Sequence, residues 1–204
     1  MMPPSAEELR VLGCLIEKQR TTPDAYPLSV NALRLACNQS TNRDPVVDWD
    51  ESTVRGAAQR LGERGWARFT SAAGSRAAKY RQVFDKALDL APGETALLAV
   101  LMLRGPQTPG ELKTRTDRMH GFESLAEVQE TLHGLVAREL VAALPRLPGQ
   151  KEQRYVQLLG NEEEVEAAPA SEPAPPAEPT GPSLEDRVAR LEAEVAALRE
   201  ELGG

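Results

Sequence analysis

The sequence predicts a mostly α chain with small β-hairpins, an α+β class, and three observations predict it. Val54, Ala57, Ala58 and Leu61 recur at i, i+3, i+4 and i+7, one face of a helix, and Gly65 follows as its stop. Trp66 to Thr70 then alternates as a strand does, and Lys79 to Phe84 supplies its partner across the small-residue tip Ser71 to Arg76. The order helix, helix, helix, hairpin is complete in about 85 residues and then recurs further along the chain. A helix followed at once by a basic-tipped hairpin is the second half of a winged helix. The chain therefore divides into a winged-helix domain over 1–86, a second over 87–160, a disordered Pro/Ala/Glu linker over 161–182 and a short coiled-coil helix over 183–204.

The elements follow in order. Ser5 caps the first helix with Glu8 three residues on, a capping-box spacing, and Leu9, Leu12, Cys14, Leu15 and Ile16 form its apolar stripe. Thr21-Thr22-Pro23 ends it, and Asp24 to Pro27 reads as a loop. Ser29 caps a second helix carrying Val30, Leu33, Leu35, Ala36 and Cys37. Asn38 to Pro45 is a polar loop with turn-forming asparagines, and Asp48 or Asp50 caps the third helix, 51–65. The loop has more hydrogen-bonding groups than a connection requires. It reads either as a self-satisfied turn network or as a holder of a partner or of the two units.

In the repeat, Gly93 to Pro109 parallels Glu7 to Pro23, and Pro109-Gly110-Glu111-Leu112 opens the next helix. Val128 matches Val54, Leu135 matches Leu61, Leu140 matches Trp66, and Arg154 to Leu158 echoes Lys79 to Val83, with Pro148 to Lys151 as the second tip. Asn161 to Pro182 is Glu, Ala and Pro and cannot bury a core. Ser183 opens the last helix, where Leu184, Val188, Leu191, Val195, Leu198 and Leu202 step as a heptad seam. With Val at two a positions, Leu at d, and Arg187 facing Glu192 and Glu194 facing Arg199 of a second copy, the seam points to a parallel homodimer. It spans under three heptads, so a lone amphipathic helix folding back on the body is the plainer alternative.

Charge is uneven: residues 1–86 net +3, 87–160 net −1 and 161–204 net −9, so the acidity belongs to the end of the chain. No general basic excess announces a nucleic-acid binder, and only a local patch is open to it. Cys14 and Cys37 sit among apolar helical neighbours and read as buried thiols. The first ten residues have no basic n-region, and the longest apolar run, Ala96 to Leu103, is far short of the ~20 residues a membrane span needs. The expected location is the cytoplasm, with no membrane partner.

The stretches YPLSVNALRLACNQSTNRDPV (Tyr26 to Val47), VLGCLIEKQRTTP (Val11 to Pro23), LRGPQTPGEL (Leu103 to Leu112) and GQKEQRYVQL (Gly149 to Leu158) carry a resemblance. They are similar to the YceH family of uncharacterised bacterial proteins over most of residues 5–160. The resemblance implies tandem winged-helix domains; it brings no established function and no catalytic positions. Ala72-Ala73 in the first tip departs from the bulkier or glycine residues expected there.

Nothing in the sequence points to catalysis or a cofactor. HExxH, CxxC, P-loop and GxSxG patterns are all absent, and His120 and His133 are the only histidines, the latter paired with Glu130 on one helix. An enzyme is not expected. The DNA-binding expectation rests on the first unit. Ser52, Arg55, Gln59 and Arg60 face away from the core of helix 51–65 with Arg64 at its end, and Arg and Gln are base-edge readers. Arg68, Arg76, Lys79 and Arg81 can follow the phosphate backbone from the hairpin. Glu51 and Glu63 dilute this face, and a solvated amphipathic helix explains it about as well. The second unit shows Glu127, Gln129, Glu130, Thr131 and His133 outward, an acidic face that repels phosphates and suits a protein partner. The expectation is a non-enzymatic DNA-binding, regulator-like protein that binds double-stranded DNA through domain 1; the alternative is a protein-binding adaptor.

Overall fold

Helix caps and hydrophobic spacing lay out the chain much as expected. The computed structural model describes residues 2–70, 78–146 and 152–160, which fall in one compact unit, Met1–Ala168. The seam Leu184, Val188, Leu191, Val195, Leu198 and Leu202, the linker, both hairpin tips and Arg76 lie outside the described residues. The class is α+β: helices with small antiparallel sheets. In the first half the elements are α1 (Ala6–Thr21), a 3₁₀ turn (Pro23–Ala25), β1 (Leu28–Ser29), α2 (Val30–Cys37), α3 (Glu51–Glu63), β2 (Ala67–Thr70) and β3 (Lys79–Gln82). A short helix α4 (Phe84–Ala87) leads to α5 (Pro92–Arg104), α6 (Pro109–Thr116), α7 (Leu125–Ala137), β4 (Val141–Ala143) and β5 (Tyr155–Gln157).

The caps explain the starts. The Ser5 hydroxyl accepts from the Glu8 N–H while the Ser5 N–H donates to the Glu8 carboxylate, a reciprocal box. Ser29, Asp50 and Ser124 cap α2, α3 and α7 through single hydrogen bonds, and Thr108 with Glu111 repeats the box on α6. Gly65, at φ +75°, ends α3 in the left-handed conformation.

The same turn closes the third helix of each half. The Trp66 N–H donates to the Leu61 carbonyl and the Leu140 N–H to the Leu135 carbonyl. Val83 N–H then returns to the Trp66 carbonyl, and Leu158 N–H to the Leu140 carbonyl. The Gln82 side-chain oxygen accepts from Phe84 and Asp85 N–H; Gln157 does the same for Leu159 and Gly160. Even the strand order echoes: Leu28 pairs with Tyr80, and a single bridge joins Gln107 to Tyr155.

Three details differ from the sequence reading. The segment read as a loop ends in β1, which pairs with β3 and makes the first sheet three-stranded in the order β1-β3-β2. Two residues are too short for an alternation signal. The last strand of that sheet stops at Gln82, because the Gln82 side chain caps the turn at Phe84 and holds that ring edge-on to Trp66, with centroids 5.0 Å apart. Leu35 is 55% exposed rather than on the core face of α2, since it lies off the line of the buried Leu33, Ala36 and Cys37.

One core runs through both halves, and α1 sits inside it against α3 and α5. Every residue from Glu8 to Ile16 is buried, including Arg10, whose guanidinium donates to the carbonyls of Cys37 and Pro45. Cys14 and Cys37 are free buried thiols, and the hydrogen bond between them, with burial, pushes Cys37 well above the ordinary thiol range. The Asn38–Asp44 loop turns Arg43 inward and is tied to its neighbours through Asn38 and the Asp44 backbone. The Asn38 side chain closes on Trp49 in both directions, and the Asp44 N–H donates to the Leu103 carbonyl of α5 at 2.9 Å. Arg104 at the end of α5 donates to the Asn42 side-chain oxygen.

Candidate nucleic-acid interface

The outer line of α3 holds Ser52, Arg55 and Gln59, all exposed, with Glu63 continuing it one turn on. Two of the three polar groups already have partners. The Ser52 hydroxyl donates to the Asp50 cap at 2.9 Å, and Arg55 lies 3.6 Å from Glu51, an exposed i,i+4 pair of small energetic value. Taken alone, this face is not cationic.

Arg60 and Arg64 turn the other way, toward α1. Arg64 Nε donates to Glu8 at 2.8 Å and Nη2 to the Pro3 carbonyl at 3.0 Å, and its guanidinium lies 5.9 Å from the Trp66 ring centre. Arg60 Nε reaches the other Glu8 oxygen at 3.3 Å, though its side chain stays 48% exposed. Burial pushes the Glu8 carboxyl up, but the hydrogen bonds from Arg64 and the Ser5 backbone and the Arg64 charge win, and hold it below the ordinary carboxylate range. Arg64, 13% exposed, thus ties α3 to the start of α1. Sequence spacing could not find this pairing, because Glu8 and Arg64 are far apart in the chain.

The hairpin brings three of the remaining predicted cations, Arg68, Lys79 and Arg81, together. Strand register sets Arg68 directly opposite Arg81, and Thr70 opposite Lys79. Alternation then sends Ala67, Phe69, Tyr80 and Gln82 to one face and Arg68, Thr70, Lys79 and Arg81 to the other. The first face is the core side: Ala67, Tyr80 and Gln82 are buried, and Phe69 packs edge-on to Tyr80 at 5.1 Å. On the second, Arg68 and Lys79 are exposed, Arg81 is half-buried, and its Nε is enclosed without a hydrogen-bond partner among the described residues. No described carboxylate forms an ion pair with any of the three. Like charges directly opposite each other on a ladder oppose pairing, and a bound polyanion would relieve them.

On α7 of the second half, Gln129, Glu130 and His133 are exposed, while Glu127 accepts from the Glu123 N–H and Thr131 from its hydroxyl bonds back to Glu127. Two apolar side chains that the sequence reading did not single out, Leu125 at 43% and Val136 at 36% exposure, lie about three turns apart on one line of this helix. Among the described residues no three His, Cys, Asp or Glu side chains cluster as a metal site needs, and no helix is long and apolar enough to cross a membrane.

Comparison with known proteins gives consistent results. The family described as a protein of unknown function, DUF480, matches residues 5–150. A UPF0502 protein of Geotalea uraniireducens is 50% identical over 195 residues, 94% of this chain and 88% of the relative. UPF0502 proteins of Opitutus terrae and Pseudomonas fluorescens are 47% and 45% identical, over 96% and 97% of this chain and 83% and 91% of their own lengths.

Proposed function

The chain belongs to the DUF480 family, and we propose that it is a non-enzymatic winged-helix protein whose first half grips the backbone of double-stranded DNA. The observation that carries this reading is the outer face of β2 and β3, where Arg68, Lys79 and Arg81 stand together with no described carboxylate to neutralise them. Ser52, Arg55 and Gln59 on α3 are the base-edge candidates, Arg76 belongs to the hairpin tip, and Arg60 and Arg64 support α3 through Glu8. Affinity then comes chiefly from phosphates and is strongly salt-dependent.

The test is fluorescence anisotropy with a labelled random-sequence duplex. Binding at low salt should weaken as salt rises, and Arg68→Gln with Arg81→Gln should lower the slope of log affinity against log salt by about two. A wild-type chain that ignores the duplex at low salt, or a double variant that binds it unchanged, removes the reading.

A second reading, a winged-helix adaptor that binds protein, rests on the exposed Leu125 and Val136 line beside the acidic side chains of α7. The two readings assign different halves, so α7 substitutions such as Leu125→Glu should leave duplex binding unaltered.

A further inference from the structure

A second group of cations lines a cavity rather than a flat face. The last turns of α1 and α5, the loop at Gln39 to Asn42, and the end of α6 with the turn after it enclose a concavity of about 510 Å³ where the two halves meet. Four cations line it: Lys18, Arg104, Arg115 and Arg118. Its one carboxylate, Glu17, is already held by Arg43 at 2.6 Å and by Lys18 at 3.2 Å. Arg115 has a carboxylate outside the cavity, Glu111 at 3.4 Å. Arg104 is bound only to the neutral Asn42 side chain, and Arg118 has no hydrogen bond or ion pair among the described residues.

Basic side chains in the last turn of a helix often just answer its dipole. Magnitude decides against that as the whole explanation. Three helix ends supply roughly half a negative charge each, less than two in total, and Glu17 is already neutralised by Arg43. Arg115 is answered by Glu111, but Lys18, Arg104 and Arg118 still exceed that, and burial, followed by the nearby Arg115 and Arg43, makes the charged form of Arg104 less favourable. The cavity has the volume of an ordinary small-molecule site, with Thr41 among its polar lining and Val100, Leu103 and Met119 among its apolar lining.

We infer that this cavity between the halves binds a small polyvalent anion, a molecule bearing two or more phosphate or carboxylate groups. Its walls come from both halves, so occupancy clamps them together. The inference is independent of the hairpin face and of DNA.

The experiment uses the full chain, with melting and titration calorimetry in sodium pyrophosphate and, separately, in citrate, at ionic strength held constant with sodium chloride. A saturable rise in melting temperature with pyrophosphate identifies phosphate chemistry; one with citrate alone identifies carboxylate chemistry; either supports the site. Arg104→Gln and Arg118→Gln should each weaken binding by about tenfold, the loss of one charge-assisted hydrogen bond. Arg118 is exposed and has no hydrogen bond or ion pair to lose among the described residues, so a weakened response in its variant reads on binding, and an unchanged melting temperature without anion checks that. Arg68→Gln with Arg81→Gln should bind the anion as the wild type does. No saturable response to either anion overturns the inference, as does unaltered binding in both cavity variants or loss of the response in the hairpin variant.

Discussion

At the scale of single residues, Arg43 carries more of the first half than its place in a loop suggests. Its side chain is fully buried and its guanidinium donates to Ala36 and Asn42 carbonyls, to the Gln39 side chain and to both oxygens of Glu17, the closest at 2.6 Å. Burial pushes Glu17 up, yet the Arg43 hydrogen bond and charge prevail and keep it below the usual carboxylate range. A carboxyl with a depressed folded pKa contributes stability above its unfolded value near 4.5, and that contribution is lost as pH falls through the lower folded value. Arg43→Ala should therefore cost about 1–3 kcal/mol in urea unfolding at pH 7, because it leaves the half-buried Glu17 carboxylate with Lys18 alone and strips the Ala36 carbonyl of its side-chain donor. Glu17→Gln should flatten part of the acid limb of the stability curve below pH ~4.5; an unaltered limb would contradict the assignment. The polar composition of residues 38–44 was visible in the sequence. That Arg43 turns inward onto Glu17 was not, because it depends on α1 lying beneath the loop.

At the scale of elements, the two halves form a natural comparison. Both third helices end on a left-handed residue, Gly65 at φ +75° in the first and Glu139 at φ +56° in the second. Glutamate pays a steric cost there that glycine avoids, so Glu139→Gly should raise stability by about 0.5–1 kcal/mol, whereas Gly65→Glu should lower it. Calorimetric melting of both variants checks the pair, and opposite signs are required. Gly13 makes the contrary case. Helix propensity alone says that Gly13→Ala in α1 gains about 1 kcal/mol. The added methyl would meet Leu103 of α5 at 2.9 Å, and Leu103 is itself buried and cannot swing aside. Overpacking wins by this reasoning, and the substitution should destabilise by about 1–3 kcal/mol. A gain would mean that α1 and α5 separate more easily than their packing implies. Sequence periodicity drew α1 with one apolar stripe. It missed the second buried face, since Gly13 and Arg10 do not read as core until another helix covers them.

At the scale of the whole molecule, charge and self-association remain to be tested together. The positive net charge lies in residues 1–86 and the strongest negative charge in 161–204, where the heptad seam from Leu184 to Leu202 is proposed to pair two copies. Light scattering on the full chain and on a version ending at Gly160 should give a dimer and a monomer; equal monomer masses would remove the pairing. What the sequence by itself determined was local: the helix starts at Ser5 and Ser29 and, between Asp48 and Asp50, that of the third helix, the glycine stop at Gly65, the order of elements and the α+β class. Each depends on interactions within about four residues, or on a spacing that survives duplication. Only the tertiary structure decided which cations are spent and which are free. Arg60 and Arg64 meet Glu8, Arg43 meets Glu17, Arg68 faces Arg81 across a ladder, and Arg104 gathers with Arg115 at a cavity. A charge has no period along a chain; its partner is whatever packing brings within a few ångströms, and packing joins residues far apart in sequence.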